Sequence, residues 1–153
     1  ELLAQFRLTE LAERDGRLLS GGQMRRASLA IGVALNPKIL LLDEPTANLD
    51  IATRREVMNI LQMLKGITNT VVIATHDMQL VCDWAERIIV LSGGYVIADG
   101  PKEQIFADLY VRSQVGIRPP QIYDMGRALG IANPCFTIDE FIGYFKEGEE
   151  RYA

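Results

Sequence analysis

Two short apolar runs, Ile39-Leu40-Leu41-Leu42 and Val71-Val72-Ile73-Ala74, constrain this chain more than any other feature in it. Each ends abruptly in polar residues: Asp43-Glu44 after the first, Thr75-His76 after the second. Continuous apolar runs of this length have the form of strands buried on both faces of a parallel sheet. Between them, Val57, Ile60, Leu61 and Leu64 recur at helical spacing behind Asp50, a candidate N-cap. Another helix is predicted after the second run, with Met78, Val81, Cys82 and Ala85 on one face. The alternation of strand and helix predicts an α/β fold with at least two parallel strands.

The tetrapeptide Leu-Ser-Gly-Gly occurs twice, at residues 19–22 and 91–94, in different company. After the first, Ala27, Ala30, Ile31, Ala34 and Leu35 line one face of a predicted helix over 22–35 that stops at Asn36-Pro37. Around the second, β-prone runs at 88–91 and 95–98 predict a hairpin whose glycines supply positive φ. A helix N-terminus concentrates unpaired N–H groups and about half a positive charge, so of the two only the first can grip an anion. Arg25 and Arg26 read as a solvated face of that first helix.

Residues 2–14 read as short helical pieces. Beyond Gly100-Pro101 the texture changes, with short helices predicted near 102–107 and 122–129. Thr137-x-x-Glu140 forms a capping box ahead of a last helix, and the charged residues 146–153 read as a solvated tail. A boundary near Leu109 separates residues 1–108 from a helical extension at 109–153. The formal net charge of −4 argues against a nucleic-acid surface, which needs a basic face. Cys82 and Cys135 lack metal-ligand spacing and read as reduced core cysteines of a cytosolic protein. No apolar run approaches the ~20 residues that span a bilayer, and the start carries no export signal, so the expectation is a chain that neither crosses a membrane nor is secreted. It begins mid-pattern without an initiator Met, as a fragment would.

With "LSGGQ" opening a helix, then "ILLLDEP", "NLD" and "VVIATHD" in this order and spacing, residues 1–108 resemble the C-terminal half of the nucleotide-binding domain of ABC ATPases. The implied fold is the parallel sheet with helices of P-loop NTPases. One departure stands out: the four lysines follow Pro37, Leu64, Pro101 and Phe145, so the Walker A loop G-x-x-x-x-G-K-[ST] is absent from these 153 residues. The resemblance implies ATP and Mg²⁺ as ligands. Ser20, Gly21, Gly22 and Gln23 would face the γ-phosphate held by an opposite subunit, the glycines allowing close approach and Ser20 adding a hydroxyl. Asp43 would hold Mg²⁺, and Glu44 would polarise the attacking water. His76 would contact the γ-phosphate. Asp50 would combine a helix cap with a place at the seam of two ATPase domains. Taken alone, the chain is expected neither to bind ATP tightly nor to hydrolyse it.

The stretches "VIADGPKEQIF" and "RPPQIYDMGRALGI" resemble, less specifically, the ATPase subunits of energy-coupling-factor importers of cobalt, nickel and vitamins. That likeness implies a second ABC ATPase as partner, identical or different, and a membrane-embedded transporter subunit, with the chain peripheral on the cytoplasmic face of the cell membrane and no nucleic acid. Two other readings stay open. The C-terminal lobe of SMC-type chromosome and repair ATPases carries the same motifs without Walker A, although residues 1–18 show no heptads of the coiled coil that precedes it. A non-catalytic module that pairs through its C-terminal helices is the other.

Overall fold

The computed structural model describes residues 1–149 and resolves into two compact units, residues 1–76 and residue 77 onward. In the first unit, helix α1 (Leu2–Gln5) and two 3₁₀ turns lead into α2 (Gly21–Ala34), strand β1 (Ile39–Asp43), α3 (Ile51–Leu64) and β2 (Thr70–Ala74). The strands β1 and β2 pair in parallel, Leu40 opposite Val71 and Asp43 opposite Ala74, so both polar strand ends emerge on the same edge. Helix α3 starts where the sequence says it should: the Asp50 carboxylate accepts the Thr53 N–H at 3.0 Å. Its predicted apolar face is its buried face, with Val57, Ile60, Leu61 and Leu64 all 6% exposed or less. Burial of such a side chain contributes about 1.5–3 kcal/mol, so this stripe anchors the unit.

Three expectations for this unit need correction. The strands are not buried on both faces. Leu40 is 8% exposed and sits close to Gly32 on α2, whereas Ile39, Leu41 and Val72 are 59%, 72% and 49% exposed. Among the described residues the sheet has two strands, and its other face is largely open to solvent. For the same reason the α2 face is phased differently: Leu29, Ala30 and Val33 are buried, while Ile31 and Leu35 are open to solvent. Arg26 does not belong to a solvated face. Its side chain is 12% exposed and ion-paired with Glu56 on α3, which also meets Arg7 at 3.5 Å.

The second unit comprises α4 (Met78–Trp84), a hairpin of β3 (Ile88–Ser92) and β4 (Tyr95–Gly100), then α5 (Lys102–Ala107), α6 (Leu109–Val115), α7 (Gln121–Ala128) and α8 (Ile138–Glu149). Ser92 pairs with Tyr95, leaving Gly93 and Gly94 as a two-residue loop at φ +56° and +83°, the mirror-image turn that suits a hairpin twist. In α4 the buried residues are Leu80 and Cys82; Met78 packs partly buried against the Cys82 core as expected, whereas Leu80 was not on the expected face and Ala85 lies past the helix end. Helix α6 was not foreseen, although its signals are present: Asp108 accepts N–H groups of Tyr110 and Val111, and Gly116 closes it at φ +67°.

Cys82, Phe106, Tyr123 and Phe136 form one core, with Phe136 stacked 5.6 Å from Phe106 and 5.2 Å from Tyr123, so residues on both sides of Leu109 share it. Burial pushes the Cys82 thiol up to about 12, which keeps it a neutral packing group. The capping box of α8 is formed, Glu140 N–H to Thr137 Oγ1 at 3.1 Å and Thr137 N–H to Glu140 Oε2 at 3.2 Å. Its carboxylate also takes the Lys102 ammonium at 2.6 Å. Of the charged tail read at 146–153, residues 150–153 lie outside the described residues.

Candidate functional site

At the end of β1 the chain turns sharply. Asp43 is the last strand residue, and Glu44 donates its N–H to Ala74 O at 2.9 Å while adopting φ +44°. That left-handed backbone is uncommon for a side-chain-bearing residue. The Glu44 carboxylate meets the end of β2: it accepts the Thr75 hydroxyl at 2.9 Å and the His76 N–H at 3.0 Å, and lies 2.5 Å from His76 Nδ1. Facing an ionised carboxylate at that distance, Nδ1 bears a hydrogen and donates it. Partial burial pushes the Glu44 carboxyl up, but the bonds from the His76 ring, the Thr75 hydroxyl and the His76 N–H together hold it below the ordinary glutamate value. The His76 ring is itself 87% exposed, so its other nitrogen reaches solvent.

Asp43 is separated from this cluster by the same turn. It is exposed, and among the described residues no hydrogen bond or ion pair engages its carboxylate. Its neighbourhood is a groove between α2 and β1 to which Arg25 and Ser28 also contribute. A carboxylate with both oxygens free fits a Mg²⁺ ion, which takes one or two protein carboxylates and completes its shell with water and phosphate oxygens. Among the described residues there is no group of three or more His, Cys, Asp or Glu side chains placed to hold an ion by themselves.

The first Leu-Ser-Gly-Gly opens α2 through a full capping box. Gln23 N–H donates to Ser20 Oγ at 3.3 Å, and Ser20 N–H donates to Gln23 Oε1 at 2.9 Å. Ser20 Oγ therefore spends a lone pair on the helix and keeps its proton available to an outside acceptor. The two glycines differ. A side chain at Gly21 would meet nothing within 4 Å, whereas a Cβ at Gly22 would stand 2.4 Å from Thr53 Cγ2. Thr53 in turn donates its hydroxyl to Asp50 Oδ2 at 2.7 Å. These bonds, side chain first and backbone second, hold the Asp50 carboxyl below its ordinary range.

The residues singled out in the sequence thus fall into two sets, with Asp43 apart from both: Glu44 with His76 at the strand ends, and Ser20, Gly21, Gly22 and Gln23 linked to Asp50 by Thr53. No hydrogen bond joins the sets among the described residues. Thr75 and Thr53 were missed by sequence reasoning. Thr75 was signalled only by its place between Ala74 and His76, and Thr53 only by lying three residues beyond the Asp50 cap.

Known proteins resemble this chain over most of its length. Residues 1–47 match the family model described as ABC transporter. The chain is 37% identical over 134 residues to the cobalt import ATP-binding protein CbiO of Rhodobacter capsulatus, covering 88% of this chain and 48% of that protein. It is 37% identical to the energy-coupling factor transporter ATP-binding protein EcfA2 of Streptococcus agalactiae, covering 91% and 51%. Among solved structures it resembles cbiO1 from Clostridium perfringens, described as part of the ABC transporter complex cbiONQ, with a TM-score of 0.62, 33% identity and coverage of 85% of this chain and 51% of that one. The chain spans about half the length of the curated relatives it matches. The α/β units, the parallel strand pair and the likeness to these proteins together identify the chain as a member of the ABC transporter ATP-binding family.

Proposed function

We propose that this chain supplies one face of an ATP-hydrolysing site that drives an importer of metal ions or vitamins, residues 1–108 acting as the C-terminal half of the nucleotide-binding domain and 109–153 as a helical extension. The relative named for cobalt import supports the metal-ion part of that reading, and the one named an energy-coupling factor transporter protein supports its transport role. Among the described residues no helix is long and apolar enough to cross a membrane, which suits a peripheral subunit docked on a membrane-embedded partner and paired with a second ATPase.

In this reading Glu44 is the general base. Its carboxylate is held ionised, so it can accept a proton from water as that water attacks the γ-phosphate. His76 positions the carboxylate through Nδ1–H and, with the ring doubly protonated, donates Nε2–H to the γ-phosphate. Asp43 would hold Mg²⁺, which when bound supplies charge neutralisation on the phosphate oxygens. Ser20, Gly21 and Gly22 present a hydroxyl and the amides of a helix N-terminus to the ATP of the opposite domain, Gln23 holds Ser20 in place, and Asp50 sits at the seam. Residues 1–153 hold no Walker A loop, and this segment alone is inactive.

The observation that carries the proposal is the convergence of the Thr75 hydroxyl, the His76 amide and the His76 ring on the Glu44 carboxylate. The test is Glu44→Gln in the complete ATPase. Binding of ATP should persist while steady-state phosphate release slows by at least about a hundredfold, the lower end of what general-base catalysis contributes. Turnover near wild type would remove Glu44 from this role.

A further inference from the structure

The start of α2 and the start of α3 meet at a single side chain. A Cβ at position 22 would lie 2.4 Å from Thr53 Cγ2, 3.2 Å from Thr53 Oγ1 and 3.5 Å from Thr53 Cβ, so Thr53 occupies the volume in which any other residue at 22 would place its side chain. Thr53 is also fixed on its far side. Its hydroxyl donates to Asp50 Oδ2 at 2.7 Å and its N–H donates to Asp50 Oδ1 at 3.0 Å, so one residue satisfies both oxygens of the Asp50 carboxylate. A β-branched side chain has few χ1 choices, and the hydroxyl bond to Asp50 selects the one that turns the methyl onto Gly22. Gly21 shows no such contact, although it is the neighbouring glycine of the same motif.

We infer that Thr53 is a positioning residue that locks the Ser20–Gly22 helix start to the Asp50 turn, its methyl seated against Gly22 and its hydroxyl on Asp50. The inference rests on the function proposed above: it states how the phosphate-facing helix end and the residue at the domain seam are kept in register. Displacement of one would be transmitted to the other through a rigid contact rather than through a flexible loop. Misplacement by about 1 Å at a reacting centre can cost on the order of a hundredfold in rate, so the lock has kinetic weight.

The lock is reciprocal in shape, which gives a rescue experiment in the complete ATPase. Gly22→Ala should lower kcat by on the order of tenfold to a hundredfold, and lower the unfolding temperature, because its new methyl overlaps Thr53 Cγ2. Thr53→Ser deletes that methyl but keeps the hydroxyl. The double variant Gly22→Ala/Thr53→Ser should therefore recover most of the kcat and the unfolding temperature lost by Gly22→Ala. A double variant no better than Gly22→Ala would overturn the lock, and would leave Gly22 serving only approach to the phosphate. Thr53→Val provides an independent arm that does not depend on how Gly22→Ala folds. It keeps the shape and loses the hydroxyl, and should retain the unfolding temperature while kcat falls and KM for ATP stays level. A kcat for Thr53→Val equal to wild type would also overturn it. These outcomes are separable from the Glu44→Gln test, whose failure would remove the hydrolytic reading itself.

Discussion

The two Leu-Ser-Gly-Gly stretches use the same four residues for opposite physical reasons. At residues 19–22 the glycines lie in a helix. Gly22 is required by space, since Thr53 fills the volume beside it. At residues 91–94 there is open space around both glycines, and what the backbone needs is conformation, φ of +56° and +83°. Ser20 caps a helix and keeps its hydroxyl proton free, whereas Ser92 ends a strand opposite Tyr95. Identity of sequence over four residues therefore says little until the flanks decide whether a helix or a strand enters.

The largest effect that separates the two comes from charge and bulk at the serines. In the complete ATPase, Ser20→Arg should reduce ATP turnover by more than about a hundredfold, the scale on which a lost or blocked transition-state donor acts. Ser92→Arg should leave it within about twofold, as surface substitutions away from a site do. Equal losses measured by phosphate release would break the comparison.

A smaller effect has opposite signs at the glycines. Gly21→Ala adds a methyl in open space on a helix, so thermal unfolding should show a gain of up to about 1 kcal/mol while turnover falls. Gly93→Ala should cost more than about 1 kcal/mol because of its positive φ, with turnover per folded molecule unchanged. If both variants changed stability in the same direction, the distinction between space and conformation would be wrong.

The smallest effect contrasts two capping boxes. The Ser20 box closes with the amide of Gln23, which does not titrate, whereas the Thr137 box closes with the Glu140 carboxylate. Burial pushes Glu140 up, but the Lys102 ammonium, the Phe136 N–H and the Thr137 N–H outweigh it and hold the carboxyl below its ordinary value. A depressed folded value means that the stabilisation is present above the unfolded value of about 4.3 and is lost as pH falls through the folded one. Trp84, the single tryptophan, lies on α4 in the same unit. Its fluorescence should show an acid transition below about pH 4 that Glu140→Gln removes. An unchanged transition in that variant would assign the acid sensitivity elsewhere.

Much of the fold could be read from period and punctuation. The Asp50 cap, the α3 stripe and the Gly93-Gly94 turn are local, so neighbours in sequence determine them. What could not be read depends on what lies across from a residue. Ile39, Leu41, Ile31 and Leu35 have the composition of core but are largely exposed. Arg26 has the composition of surface but is paired with Glu56, thirty positions away. At the site, Glu44 and His76 were legible as strand-end residues, while the contact of Thr53 with Gly22 depends on how two helices cross.

Glu44 carries a further consequence. A non-glycine residue at φ +44° raises the free energy of the folded chain by about 1–3 kcal/mol, and glycine would relieve most of it. Under random substitution with selection for thermal robustness alone, position 44 would drift toward glycine or asparagine. A glutamate kept there is a standing cost to stability, held in place by its bonds to Ala74, Thr75 and His76. Attempts to harden this protein by optimising backbone geometry would choose this residue first, and would trade its chemistry for shelf life.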